Sequence, residues 1–189
     1  MSESRSGGHL EALRRLGVGA VAEKALLPYL DLLAAWSRRV NLTGARTAQE
    51  RVLTLVGPVL GIVPLAPEGT VLDLGSGNGS PGLVLALLRP DLEVTLVEPR
   101  ARRAAFLREA ARATGRGDVE VFRGRHDAWP GPPARTVLLR ALRLPLAEIA
   151  PLVASGGAII VLGRPLEPSP GFVAEPTPVS DRHLYRRST

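Results

Sequence analysis

Cysteine is absent from this 189-residue sequence, so it can build no disulfide framework, no thiolate zinc site and no cysteine nucleophile. Lysine is nearly absent too: Lys24 stands alone among 24 basic residues, and the rest are arginine. In a chain this rich in Ala, Gly and Pro, that skew carries the mark of a GC-rich coding bias. The net charge of +6 therefore supports an anionic partner such as nucleic acid only alongside other features. No apolar core follows the polar start Met1-Ser-Glu-Ser-Arg-Ser-Gly-Gly8, and no run reads as long enough to cross a bilayer. A cytoplasmic protein with no membrane partner is expected. The 45% hydrophobic and 22% charged content suit a globular chain, and the length suits one well-buried domain with an appendage.

Against those absences one stretch stands out, Val71-Leu-Asp-Leu-Gly-Ser-Gly-Asn-Gly-Ser-Pro-Gly82. A short apolar run broken by Asp73 leads to glycines at 75, 77 and 79, then to Leu83-Val-Leu-Ala-Leu-Leu88. This reads as a buried strand, a tight turn and a helix, with Ser80 as the N-cap and Pro81 in the first helical position. Glycines here permit positive φ and close approach of a ligand to the backbone. The dinucleotide fingerprint is missing its third glycine, since Ser80 holds that place. The pattern Asp-x-Gly-x-Gly-x-Gly resembles motif I of the S-adenosylmethionine (SAM) methyltransferases. A nicotinamide or flavin site, and a turn without a ligand, stay open on this motif alone. The lack of cysteine excludes the methyltransferases that attack cytosine C5 with a thiol.

Upstream, the pattern from Leu10 to Val40 is helical, with Leu26, Leu27, Leu30, Leu33, Ala34 and Trp36 forming an apolar stripe. Trp36 reads as a packing anchor, and Arg38-Arg39 as facing solvent or phosphate. Thr47-Ala-Gln-Glu50 reads as a capping box opening a helix that Gly57-Pro58 interrupts. Downstream, strands are expected at Leu92–Val97, Val119–Phe122, Thr136–Leu139 and Ala158–Leu162. They alternate with helices at Arg100–Ala113 and Leu146–Val153, with Gly156-Gly157 as a turn and His183–Arg186 as a closing strand. Pro165–Pro178 resists assignment. The expected class is α/β: a doubly wound, mostly parallel sheet over residues 67–189, with an N-terminal helical extension over 1–66.

In such sheets ligands bind beyond the carboxyl ends of the strands. That rule selects Glu98 as a partner for ribose hydroxyls, His126 and Asp127 beside an adenine, and Arg140 at the end of the fourth strand. With Asp73, Gly75, Gly77, Gly79 and Ser80 from the glycine turn, these are the candidate cofactor residues. Arg140 is also the candidate catalytic residue. No metal site is expected.

Several segments together resemble the RsmG (GidB) family, bacterial enzymes that methylate a guanine N7 of 16S ribosomal RNA. Leu30–Thr43, with Leu33, Trp36, Arg39 and Asn41-Leu42-Thr43, is similar to the family's N-terminal signature. Leu72–Leu83 looks like its motif I, including the Pro-Gly that follows. Arg102-Arg103 with Phe106-Leu107, the pair Arg140-Ala141, and Arg182-His183-Leu184 match further segments. The resemblance implies a class I, Rossmann-like SAM methyltransferase fold, SAM as cofactor, and 16S rRNA of the small ribosomal subunit as partner of a monomeric enzyme. The chain departs from the family at two places. Where the family carries His-x-x-Asp-Ser, an ungapped alignment places Leu55, Pro58 and Val59; where it carries Lys-Gly, this chain has Gly163 and then Arg164.

Guanine N7 holds a lone pair and no proton, so its methylation requires no general base. The fourth strand runs into Leu139-Arg140-Ala141-Leu142 rather than the Asn/Asp-Pro-Pro-Tyr/Phe motif of exocyclic-amine methyltransferases. A relative that binds SAM or RNA without transferring methyl, and a small-molecule methyltransferase, stand as the alternatives.

Overall fold

The computed structural model describes residues 3–188; Met1 and Ser2, which open the polar N-terminal stretch, and Thr189 lie outside the described residues. Two helices, α1 (Glu3–Arg15) and α2 (Ala20–Trp36), divide the region whose periodicity read as continuous from Leu10 to Val40. Gly17, at φ +78°, ends the first: its N–H and that of Val18 bond back to the carbonyls of Arg14 and Leu13. That double closure terminates a helix where glycine accepts the left-handed conformation.

The expected capping box opens α3 (Ala48–Arg51), with Thr47 and Glu50 each accepting the other's backbone N–H at 3.1 Å. The helix then widens into a π turn (Val52–Val56) and continues as α4 (Gly57–Leu60). Gly57-Pro58 therefore does not stop it, as the sequence suggested. The wider turn carries the backbone past a proline ring that would clash with the carbonyl four residues earlier. The 18 residues Ala48–Leu65, at a mean hydropathy of 1.2, are long and apolar enough to cross a bilayer by composition, which corrects the reading that no run is. In the fold Val52, Val56, Val59 and Ile62 of this stretch are fully buried in the core.

Seven strands, β1 (Thr70–Leu74), β2 (Glu93–Val97), β3 (Glu120–Phe122), β4 (Ala134–Arg140), β5 (Val153–Leu162), β6 (Phe172–Glu175) and β7 (Arg182–Arg187), form one sheet in the order β3-β2-β1-β4-β5-β7-β6. The first five are parallel, while β7 runs antiparallel between β5 and β6. Helix α5 (Gly82–Leu88) joins β1 to β2, and α6 (Ala101–Ala113) joins β2 to β3. The doubly wound expectation holds, and the winding reverses between β1 and β4. Two boundaries move. The helix expected over Leu146–Val153 shortens to α7 (Leu146–Ile149) and one 3-10 turn before β5, and Gly156-Gly157 form an irregularity inside β5 rather than a turn before it. β6, unassigned in the sequence, is an edge strand between Pro170 and Pro176, where proline costs no ladder bond.

Each sheet face is covered. Leu138, Ile160 and Leu184 share one buried cluster with Leu26, Leu30, Val56 and Val59 from the N-terminal helices and Val84 and Leu107 from α5 and α6. Leu72, Leu139 and Ile159 point the other way, onto Leu146 and Ile149 of α7. The packing thus runs through the expected boundary at residue 66.

Asp73 departs from its expected place as a ligand contact. It is 1% exposed, and its Oδ2 accepts the Gly82 N–H at 3.1 Å, which makes it the cap of α5. Ser80, expected to be that cap, turns its hydroxyl elsewhere. A Cβ on Gly82 would lie 2.5 Å from the Asp73 carboxylate, so only glycine lets the helix start this close. Burial pushes the Asp73 carboxyl up from the usual range to about 7, against the pull of the Gly82 N–H. A folded pKa above the unfolded value means stability falls as pH rises from about 4 to about 7 and is level beyond. Asp73→Asn keeps an acceptor for Gly82 and removes the titration. Urea unfolding at pH 5 and pH 8 should therefore show the variant gaining on the wild type as pH rises; parallel pH profiles would contradict the assignment.

Candidate functional site

Where the winding reverses, the carboxyl ends of β1, β2 and β4 open on a cleft of about 610 Å³. Its floor is the β1–α5 turn, in which Gly75, Gly77 and Gly79 take φ of +71°, +51° and +91°. The turn is held by groups from distant segments. Glu98, just past β2 and 2% exposed, accepts the Gly77 N–H at 2.9 Å with one oxygen and the Arg100 N–H at 2.8 Å with the other. Asn78 donates its side-chain amide to the Leu42 carbonyl at 3.1 Å, and its own carbonyl accepts the buried Tyr29 hydroxyl at 2.9 Å. Arg103 of α6 reaches the Asn41 carbonyl at 3.0 Å. The segment Asn41-Leu42 is thereby docked against the turn, and Leu42, Thr43 and Gly44 become one wall of the cleft.

The opposite wall follows from Pro58. Having no N–H, it leaves the Thr54 carbonyl, four residues earlier, without a helical donor. Arg140, at the end of β4, donates to that carbonyl at 2.6 Å and to the Ser80 hydroxyl at 2.8 Å. Ser80 in turn donates to the Leu55 carbonyl at 2.7 Å. Proline, arginine and serine thus fasten the π turn to the glycine turn. Burial pushes the Arg140 guanidinium pKa down from its ordinary value. The next residue, Ala141, lines the cleft at φ +54°, a left-handed conformation that is strained for a residue with a Cβ.

Of the residues expected to contact a cofactor, Gly75, Gly77, Ser80, Glu98, His126 and Arg140 line the cleft. Three stand elsewhere. Asp73 lies beneath it, capping α5. Gly79 turns towards Tyr29, Leu83 and Leu107. Asp127 is exposed and paired with Arg125 at 3.2 Å, and that guanidinium holds its carboxyl below the usual range. His126 is 8% exposed, with Nε2 3.0 Å from the Glu148 carboxylate.

The sequence reading named Ala141 through the Arg140-Ala141 pair but did not single out Asn78 or Arg100. Asn78 had a readable signal, an amide side chain between two glycines in a turn. Arg100 acquires its role only through tertiary contact.

A family model described as GidB, rRNA small subunit methyltransferase G, matches residues 22–162. The chain is 39% identical over 132 residues to the Ribosomal RNA small subunit methyltransferase G of Methylobacillus flagellatus, covering 68% of this chain and 64% of that one. To the protein of the same name from Xanthomonas euvesicatoria it is 36% identical over 154 residues, covering 82% and 71%. The chain therefore spans about two thirds of the length of these relatives. Among solved structures, a methyltransferase from Geobacter sulfurreducens superposes with a TM-score of 0.58 at 15% identity, covering 86% of this chain and 89% of that one. At that identity the likeness shows the fold alone, that of an α/β methyltransferase.

The Pro58–Thr54–Arg140 arrangement predicts a coupling. Arg140→Ala should cost about 1–3 kcal/mol of stability, because it leaves a carbonyl and a hydroxyl without their charged donor. Pro58→Ala supplies an N–H for Thr54, so the arginine deletion should cost distinctly less in that background. Urea denaturation of the two single variants and the double variant checks this; additive costs would contradict it.

Proposed function

Because the chain belongs to the GidB family, rRNA small subunit methyltransferase G, we propose that it transfers a methyl group from SAM to a guanine N7 of 16S rRNA in the small ribosomal subunit. The observation that carries this reading is the Glu98–glycine turn at the switch point. A carboxylate offers about four lone-pair sites, and here two are taken by backbone N–H groups. The remainder suits the two hydroxyl donors of a ribose, and the cleft volume is that of a nucleoside-sized ligand site. We assign Glu98, Gly75, Gly77 and Ser80 to holding the cofactor and His126 to the adenine side. Asp73 and Gly79 support the turn from below, and Asp127 stands outside the lining. When bound, SAM supplies a methyl group on a sulfonium, a strong electrophile.

Catalysis on this reading is positioning and electrostatics. The acceptor nitrogen brings a lone pair and no proton, so the chain need not provide a base. His126, which lines the cleft and pairs through Nε2 with Glu148, is assigned on this reading to the adenine side and not to proton transfer. Arg140 acts by fixing the wall through Thr54 and Ser80, which narrows the catalytic role expected of it to positioning. Leu55 stands in the cleft where the family pattern is polar, so the guanine is held less firmly. A displacement of about 1 Å at the reacting atoms costs on the order of a hundredfold in rate, and slow turnover is expected. A protein that acts on the small ribosomal subunit works in the cytoplasm, and we propose that this one does so as a monomer.

Isothermal titration calorimetry with SAM tests the cofactor half. Glu98→Ala should weaken binding by roughly 1–3 kcal/mol, the range for hydrogen bonds to a charged group. Gly77→Val should abolish it, since a β-branched side chain at φ +51° is strained and the turn would have to move. Tritium transfer from labelled SAM to small subunits lacking the modification tests the substrate half. Tight SAM binding with no label in 16S rRNA after prolonged incubation would leave a binder without transfer as the better account.

A further inference from the structure

Beside the cleft lies a second and larger hollow, about 880 Å³, between the C-terminal end of α2 and the outer face of α6. Leu32, Ala35, Trp36 and Val40 line it with apolar surface. Arg38, Arg39 and Arg102 stand around it against one carboxylate, Glu109. The three arginines are exposed, and among the described residues none has an acidic partner. What sets these three apart is that they stand around one apolar hollow. Trp36 is half-buried and braced edge-on against Phe106, with centroids 5.7 Å apart and planes at 61°. The hollow also leads somewhere. Val40 lines it while Leu42 and Thr43 line the cleft, and Arg102 and Arg103 are successive residues of α6 facing one site each.

We propose that this hollow takes an unpaired stretch of RNA flanking the target nucleotide. Its bases rest on Trp36, Leu32 and Val40, and its phosphates lie on Arg38, Arg39 and Arg102. The proposal rests on the rRNA reading above and names where that RNA lies. An apolar floor with a fixed indole and guanidiniums that have no acidic partner at its rim suits a single strand, whose bases are free to leave solvent. A duplex would offer only its backbone. The charge balance of three to one favours a polyanion over an acidic-and-basic protein surface.

Fluorescence anisotropy with a short labelled oligouridine and a blunt RNA duplex tests this. Each phosphate contact to a single strand contributes about 0.7 to the slope of log affinity against log salt. The triple variant Arg38→Ala/Arg39→Ala/Arg102→Ala should lose about 2 of that slope, so that it loses roughly fifteenfold less affinity than the wild type between 50 and 200 mM salt. The corresponding triple lysine variant should keep most of the slope, and Trp36→Leu should weaken binding severalfold at every salt without changing it. SAM titration of each variant reports on the fold. An unchanged slope in the alanine variant, a duplex bound as tightly as oligouridine, or no oligouridine binding by the wild type would overturn the proposal. If the wild type methylates subunits and the alanine variant has the same KM for them, the hollow is wrong and the methyl-transfer reading stands. If oligouridine binds through the arginines but no subunit is methylated, the hollow stands as an RNA site and the methyl-transfer reading fails.

Discussion

Between β1 and α5 the backbone passes through three left-handed glycines in five residues, and in that path several of its polar groups find their partners only in other segments. The rest of the fold supplies them. Glu98 takes the Gly77 N–H from the next strand, Asp73 takes the first free N–H of α5 from below, and Tyr29 and Leu42 engage Asn78 from the N-terminal segment. Buried polar groups left unpaired would each cost on the order of 1–3 kcal/mol. The turn therefore sets what its neighbours must be: a carboxylate ending β2, a glycine at the start of α5, and a helical segment packed close enough to lend a phenol and a carbonyl.

The N-terminal helices are tied to the sheet in the same way. They complete the core over β4, β5 and β7, and they also bring two walls of the cleft. One wall is the docked segment after Val40. The other is the π turn, whose Thr54 carbonyl accepts from Arg140. A proline that local rules treat as a helix breaker here creates the acceptor that fastens a strand end to a helix.

Much of this was legible in the sequence, and what was not has physical reasons. The five parallel strands, the acid after β2 and the capping box at Thr47 are local patterns, and periodicity and spacing expose them. The split at Gly17 escaped because the apolar stripe continues in phase across it. β6 escaped because its prolines mark a loop unless an edge strand is already in view. Ser80 and Asp73 exchanged expected roles for a similar reason. Serine before proline reads as a cap, whereas the true cap is a carboxylate brought over from β1 by the turn itself. Gly79 and Asp127 sit within the right motifs but face away from the cleft, an orientation that no spacing rule reports.

The distinguishing feature of the reaction we propose is its acceptor atom, a ring nitrogen that bears no proton. Nucleoside mass spectrometry of 16S rRNA, after incubating unmodified small subunits with the protein and SAM, tests that claim most directly. The account predicts 7-methylguanosine that is absent without the protein. Methyl incorporated instead at a proton-bearing nitrogen of guanine would contradict it.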